Sequence, residues 1–296
     1  MPPGSLTIEA VYPAGRPVPH HRRQAAIQDG SQRRTPSMGF DIDRYCSLAT
    51  KLDAGDLDFS SFQDAPLPAE VLRCLRYMHD IENHTVCYLR DVLVTRAHKD
   101  PEVTTFLTFW NYEEYWHGEA IARVLAAHGE VAGRSRAEEL RRRLPRRDAW
   151  RPLTFQLGSL LTPHLTAVHM TWGAINEWTT QAGYARLATL AGHPVLAELL
   201  HRIMRQEGRH IDFYLSQANR RLSASRSAQR LTRWALRRFW APVGNSVMPD
   251  AEVRFLSSFL FGGHEGRAVA ERIDRRVDRL PGLAGLGLLQ RAAQVT

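Results

Sequence analysis

The sequence predicts an all-α fold, a four-helix bundle with one long crossover and extra C-terminal helices, and three observations predict it. A lone Glu followed by a Glu-x-x-His occurs twice, as Glu82 with Glu114 and His117, and as Glu177 with Glu207 and His210. The inner spacing is nearly constant, 32 residues from Glu82 to Glu114 and 30 from Glu177 to Glu207. All six residues fall on apolar stripes spaced by three and four, the repeat that puts side chains on one helix face. The stripes read Val71, Leu75, Met78, Glu82, Val86, Leu89, Leu93; then Val103, Leu107, Trp110, Glu114, His117, Ile121, Val124; then Met170, Gly173, Glu177, Thr180, Tyr184, Leu187; then Leu196, Leu200, Ile203, Glu207, His210, Tyr214. Two helices giving one Glu each and two giving a Glu-x-x-His form the ligand set of a two-metal centre inside a bundle.

The elements follow in order. Residues 1–40 are rich in proline, carry the basic run His20-His21-Arg22-Arg23 and show no helical period, so they are expected to be a disordered extension. They also lack the apolar centre of a secretory signal. The bundle is expected over 41–224. Its first helix is expected at about 67–96, after Pro66 and Pro68. The second spans about 100–128, opening on Asp100-Pro101, a helix-start pair, and closing at His128-Gly129. Residues 130–153 form the long connection, with a short helical piece near 137–143 and breakers at Pro145 and Pro152. The third helix spans about 154–191 with an interruption at Pro163, and Gly192-His193-Pro194 turns the chain into the fourth, which ends near 222. Short links within each hairpin and a long one between them are what a ferritin-like bundle requires. Residues 225–296 are expected to add helices near 227–239 and 265–279, packed on the bundle.

A single Glu-x-x-His reads first as a surface ion pair; two of them, with two further Glu on apolar seams, do not. Burying an unpaired carboxylate costs several kcal/mol and four together repel, a penalty that two cations remove. Four carboxylates and two imidazoles are hard-to-borderline donors, which disfavours copper(I) and structural zinc and favours two iron ions, with manganese possible at one position. Cys46, Cys74 and Cys87 form no metal or redox motif, and an odd count without a secretory signal points to a reducing cytoplasm. No apolar run reaches the roughly 18 residues of a membrane span.

The residues around the ligands carry a family resemblance. Trp110-Asn111-Tyr112-Glu113-Glu114-Tyr115-Trp116-His117-Gly118 resembles the W-x-x-E-E-x-x-H-G segment of the soluble acyl-carrier-protein (acyl-ACP) desaturases. Glu177-Trp178-Thr179-Thr180 is similar to that family's E-x-x-T segment, and Glu207 to His210 to its second E-x-x-H; the resemblance covers roughly residues 70–220. It implies a non-haem diiron oxidase that uses O2 as co-substrate and an external electron donor such as ferredoxin. By the resemblance, Glu82 and Glu177 are terminal ligands, Glu114 and Glu207 bridge, and His117 and His210 each cap one iron. Thr180 is then the hydroxyl on the dioxygen side, and Trp110 belongs to the same catalytic surround. Two positions depart from the family. Gln206 stands where it has an Asp that orients a histidine ligand, and Trp116 where it has a basic residue.

Other residues read as structural. His164, His169 and His201 are candidate extra ligands of the kind found in the related arylamine N-oxygenases. That family's additional histidine, however, lies one turn before the last Glu-x-x-His, where Ile203 stands here. Trp172 and Trp178 flank Glu177 and read as packing; His84, two residues after Glu82, is expected to point away from the seam.

The net charge of +8 is almost entirely arginine. Arg134, Arg136, Arg141, Arg142, Arg143, Arg146, Arg147 and Arg151 crowd the connection, and Arg220, Arg221, Arg226, Arg230, Arg233, Arg237 and Arg238 form a second group. Such surfaces attract an acidic carrier protein with its bound substrate. No nucleic-acid module accompanies them, so nucleic acid is not expected. The expected activity is O2-dependent C–H abstraction on an alkyl chain, giving desaturation or hydroxylation, by a homodimer. The alternatives are oxygenation of a small or carrier-bound metabolite, including N-oxygenation, and a non-catalytic iron-storing bundle.

Overall fold

The computed structural model describes residues 39–295; residues 1–38, most of the expected N-terminal extension, lie outside them. The described chain is all helical. The four bundle helices are α3 (Ala69–Glu82), α5 (Pro101–Ala127), α8 (Leu165–Ala191) and α9 (Pro194–Ala224). Helix α3 packs on α5 and α8, α5 on α9, and α8 along most of α9, which closes the ring of four. The short helices α1 (Ile42–Leu48) and α2 (Ser61–Asp64) precede it and lie against α5. The crossover from α5 to α8 carries α6 (Gly133–Arg143) and α7 (Arg147–Leu161), so this is a ferritin-like bundle with one long crossover.

Local signals set the helix ends. The Asp100 carboxylate accepts from the backbone N–H groups of Glu102 and Val103, with Pro101 in the first turn of α5. Gly192, at φ +63°, ends α8, and Pro194 opens α9 two residues later. Pro163 does interrupt the third helix, separating α7 from α8.

The first bundle helix differs from expectation. It breaks after Glu82 at Asn83–His84 and resumes as α4 (Thr85–Leu93). No proline or glycine causes this. The Asn83 amide donates to the His79 carbonyl at 3.0 Å and the Thr85 hydroxyl to the Glu82 carbonyl at 2.7 Å, side-chain bonds that compete with the helical ladder. The break shifts the apolar phase: Val86 and Leu93 are exposed, while Asp91 and Val92 turn inward.

Glycines allow close approach at two points that matter for the site. A Cβ on Gly118 of α5 would stand 2.5 Å from the Asn83 amide nitrogen and 3.4 Å from Glu82 Cβ. A Cβ on Gly173 of α8 would stand 2.4 Å from the Tyr214 ring of α9.

Residues 225–296 supply α10 (Arg226–Phe239), α11 (Asp250–Phe261), α12 (Gly263–Asp278) and α13 (Leu288–Val295). Two of these, α11 and α13, were not foreseen. Helices α10, α11 and α12 all contact α8, and α11 also contacts α3. Among the described residues no helix is long and apolar enough to cross a membrane.

Candidate metal centre

Six side chains predicted from sequence meet in the middle of the bundle. One ligand atom from each of Glu82, Glu114, His117 and Glu207 lies within 4.8 Å of the others, and the same holds for Glu114, Glu177, Glu207 and His210. Glu114 and Glu207 belong to both groups, so the cluster has two positions that share two carboxylates. All six residues are buried.

Four of the inward-facing ligand atoms lack hydrogen-bond partners. Glu82 Oε2, Glu114 Oε1, His117 Nδ1 and Glu207 Oε1 are buried without a hydrogen bond, an arrangement that costs free energy unless a cation fills it. His117 Nδ1 lies 3.4 Å from Glu207 Oε1 and 3.8 Å from Glu82 Oε2. His210 Nδ1 lies 3.1 Å from Glu114 Oε1 and 3.1 Å from Glu207 Oε2. Both imidazoles thus present Nδ1 inward and Nε2 outward. The residues present therefore suit a pair of divalent cations, whose charge balances that of four carboxylates.

The electrostatics agree. Burial pushes the Glu82, Glu114 and Glu177 carboxyls above the usual range, and their mutual repulsion adds to this. Burial acts on Glu207 too, but the bonds from His117 and His210 outweigh it and hold Glu207 low. Burial works to lower both imidazoles, and the acidic groups around them more than reverse it. Without cations, protons are what keep the cluster near neutrality, and metal binding must release them.

The outer partners of the histidines cross between helices. His117 of α5 is bonded at 2.8 Å to the side-chain oxygen of Gln206 on α9. His210 of α9 is bonded at 2.9 Å to the Glu113 carboxylate on α5. Since each partner atom is an acceptor, each Nε2 donates to it, so the proton that an ion would displace is the one on Nδ1. Glu113 also accepts from the Tyr45 hydroxyl at 2.9 Å, the Thr50 N–H at 3.3 Å and Arg209 at 2.5 Å. Burial would raise its carboxyl, but His210, Arg209 and Tyr45 hold it below the usual range. The Gln206 amide donates to the Thr50 carbonyl at 3.0 Å. Glu113, Tyr45 and Thr50 were missed from sequence. The available signal was the polar residue directly before each ligand Glu, Glu113 in one repeat and Gln206 in the other.

The terminal carboxylates are held by aromatic donors. The Tyr184 hydroxyl donates to Glu82 Oε1, and Trp110 Nε1 donates to Glu177 Oε1 at 3.0 Å. Thr180 lies half-buried on the wall of a cleft that it shares with Glu82, Thr179, Gly183 and Tyr184. The cleft holds about 750 Å3 of empty space, its open mouth included, and its remaining walls come largely from residues 240–293. Among the described residues that line it, Glu82 is the sole carboxylate, and none is Lys, Arg or His.

The other candidates sit elsewhere. His169 is buried against Tyr88 and Phe155, His164 stands directly before α8 with no side-chain cap bond, and His201 is exposed; none joins the cluster. Trp178 is buried, with Arg276 5.9 Å from its ring centre. Trp116 packs against Lys51, Tyr112 and Tyr115. His84 is buried, near Asp148 and Arg151 of α7 and away from the cluster.

No family model matches the chain, and no curated protein matches it. Among solved structures it is similar to a variant R2-like ligand-binding oxidase with an aerobically reconstituted Mn/Fe cofactor, at 17% identity over 86% of this chain and 89% of that one, with a TM-score of 0.49.

Proposed function

We propose that the chain is an O2-dependent diiron oxidoreductase that attacks a C–H bond of an alkyl chain, as an acyl-ACP desaturase or a related hydroxylase does. One observation carries the reading: a buried cluster fit for two ions stands beside an apolar cleft and shares Glu82 with it. A storage bundle has no need of such a cleft at its metal ligands. Two iron ions, with manganese possible at one position, would be held by Glu82, Glu114, His117, Glu177, Glu207 and His210; when bound, they supply dioxygen activation and one-electron chemistry. An external donor of the ferredoxin type supplies the electrons.

The chain's own residues do the rest. Tyr184 and Trp110 fix the two terminal carboxylates, Glu113 and Gln206 fix the tautomers of the two imidazoles, and the walls beyond Thr180 exclude water. Among the described residues no cationic group lines the cleft, which suits an uncharged part of the substrate. The thioester and carrier then stay outside. Helix α10 exposes Arg226, Arg230, Arg237 and Arg238 and leads directly into Trp240 on the cleft wall, which suits an acidic carrier delivering its chain there.

Several of the other arginines are already engaged. Arg136 pairs with Asp80 at 2.6 Å, and Arg151 with Asp91 at 3.2 Å, so these pin the crossover to the bundle.

The test is to load the protein anaerobically with two equivalents of Fe(II), then supply a reductant, O2 and a panel of acyl-carrier-protein thioesters, free acids and amines. Mass loss of two hydrogens or gain of one oxygen on a thioester is the expected result. Metal uptake with oxidation of none of them would overturn the reading, and so would full activity in Glu207→Ala.

A further inference from the structure

We propose that the two metal positions are unequal by construction, with Glu113 and Gln206 as the positioning residues that make them so. The Glu177–His210 position holds its ion tightly, and the Glu82–His117 position, beside the cleft, holds its ion loosely. This rests on reading the cluster as a two-metal centre.

The two halves share one ligand pattern and differ first in their outer partners. Each has one terminal carboxylate, one imidazole presenting Nδ1, and a share in Glu114 and Glu207. Behind His210 stands a fully buried carboxylate, itself bonded to Arg209, Tyr45 and Thr50. Behind His117 stands a neutral amide. An anionic acceptor draws on the Nε2–H more strongly, which makes the opposite nitrogen a better donor to a metal.

Two further differences act in the same direction. Glu82 accepts from a phenol O–H, whereas Glu177 accepts from an indole N–H, the weaker acid, so Glu82 retains less electron density for an ion. Glu82 is also the last residue of α3, directly before the break at Asn83, while Glu177 lies in the middle of α8. The cleft touches Glu82 and not Glu177 or His210. The loosely held ion is thus the one that a substrate approaches.

Anaerobic titration of the metal-free protein with 57Fe(II), read by Mössbauer spectroscopy with chelator competition, tests this. Two binding steps at least ~10-fold apart are expected, the scale on which outer partners alter metal affinity. Gln206→Leu removes the acceptor behind His117 and is expected to weaken the second step by a further ~10- to 100-fold while leaving the first unchanged. Glu113→Gln makes the acceptors behind the two histidines alike and is expected to weaken the first step and narrow the gap between the two. If Gln206→Leu fails to fold, Glu113→Gln alone decides. Equal affinities in the unmodified protein overturn the proposal. So does a variant that weakens both steps equally, the result of a merely structural role. Failure to bind two ions at all would instead overturn the metal-centre reading.

Discussion

The side-chain amide of Gln206 donates to the carbonyl of Thr50 across 3.0 Å, and this bond explains why position 206 is not an acid. The N–H of the same residue, Thr50, donates to Glu113. One residue between α1 and α2 thus offers an acceptor to one outer partner and a donor to the other. A carboxylate at 206 would face the carbonyl oxygen with no proton to offer. Gln206→Glu is therefore expected to lower stability by about 1–3 kcal/mol, the cost of leaving a buried acceptor unpaired. Urea denaturation of the metal-free protein at neutral pH checks this; an unchanged midpoint would count against the role given to Thr50.

The ligand set opposes stability when no metal is present. Burial and mutual repulsion raise the Glu114 carboxyl well above its usual range, so the bare cluster is strained. Glu114→Gln is expected to make the metal-free protein more stable, by about 1–3 kcal/mol, and to abolish binding of two ions. Thermal melting with and without Fe(II), alongside metal analysis, reads both effects. A variant less stable than the metal-free parent would show that Glu114 is structural first.

The seams were legible because burial and helical period are local properties of sequence. Val103, Leu107, Ile121 and Val124 are fully buried, as spacing alone demands, and Glu114 and His117 ride on the same face. The seam failed after Glu82 because Asn83 and Thr85 broke the helix through side-chain bonds that carry no strong breaker signal. Gln206 was read as a departure from a family pattern, but its partner is His117 on the opposite helix rather than its neighbour His210. That crossing depends on interhelical register, which no spacing within one helix reports. Tyr45 and Thr50 lie more than 60 residues from Glu113 in sequence, and only the fold brings them to it. Helix α11 did carry a signal, since Val253, Leu256 and Leu260 recur at a spacing of three and four, and it supplies Leu256 and Leu260 to the cleft.

His169 gives a pH dependence separate from the cluster. It is buried between Tyr88 and Phe155, and burial pushes its imidazole down to about 4 from an ordinary 6.5. The folded state thus disfavours the proton that the unfolded chain accepts. Its contribution to stability is complete above about pH 6.5 and is lost as pH falls toward 4, up to about 3 kcal/mol in all. His169→Phe is expected to flatten the stability profile between pH 6.5 and 4 relative to the parent, measured on metal-free protein. Parallel profiles would mean that His169 is protonated in the folded state.

Gly173 sets how closely α8 meets α9 near Glu177. With the Cβ of an alanine 2.4 Å from the Tyr214 ring, Gly173→Ala must displace either the ring or the helix. Overpacking of this kind costs about 1–3 kcal/mol. Because Glu177 lies one turn along α8, the displacement is expected to weaken metal binding as well. Calorimetry and metal stoichiometry would show both losses; intact two-ion binding would indicate that Tyr214 alone moves.

Blocking the cleft separates substrate access from metal chemistry. Gly183 lines it, and a Cβ there would point toward Leu260 at 3.3 Å and Met78 at 3.5 Å, so a larger side chain must grow into the empty space. Gly183 is not among the residues that hold ions, and it lies on α8 six residues past Glu177. Gly183→Leu is therefore expected to retain two ions with an unchanged Mössbauer spectrum. Turnover of a long acyl chain should fall by at least tenfold, mainly through a higher KM, since a filled cavity removes apolar contact area from the bound state. Shorter chains that stop before the obstruction should lose less. If chains of every length react as well in the variant as in the parent, the substrate reaches the metals by another route, and the cleft beside Glu82 is not the binding site.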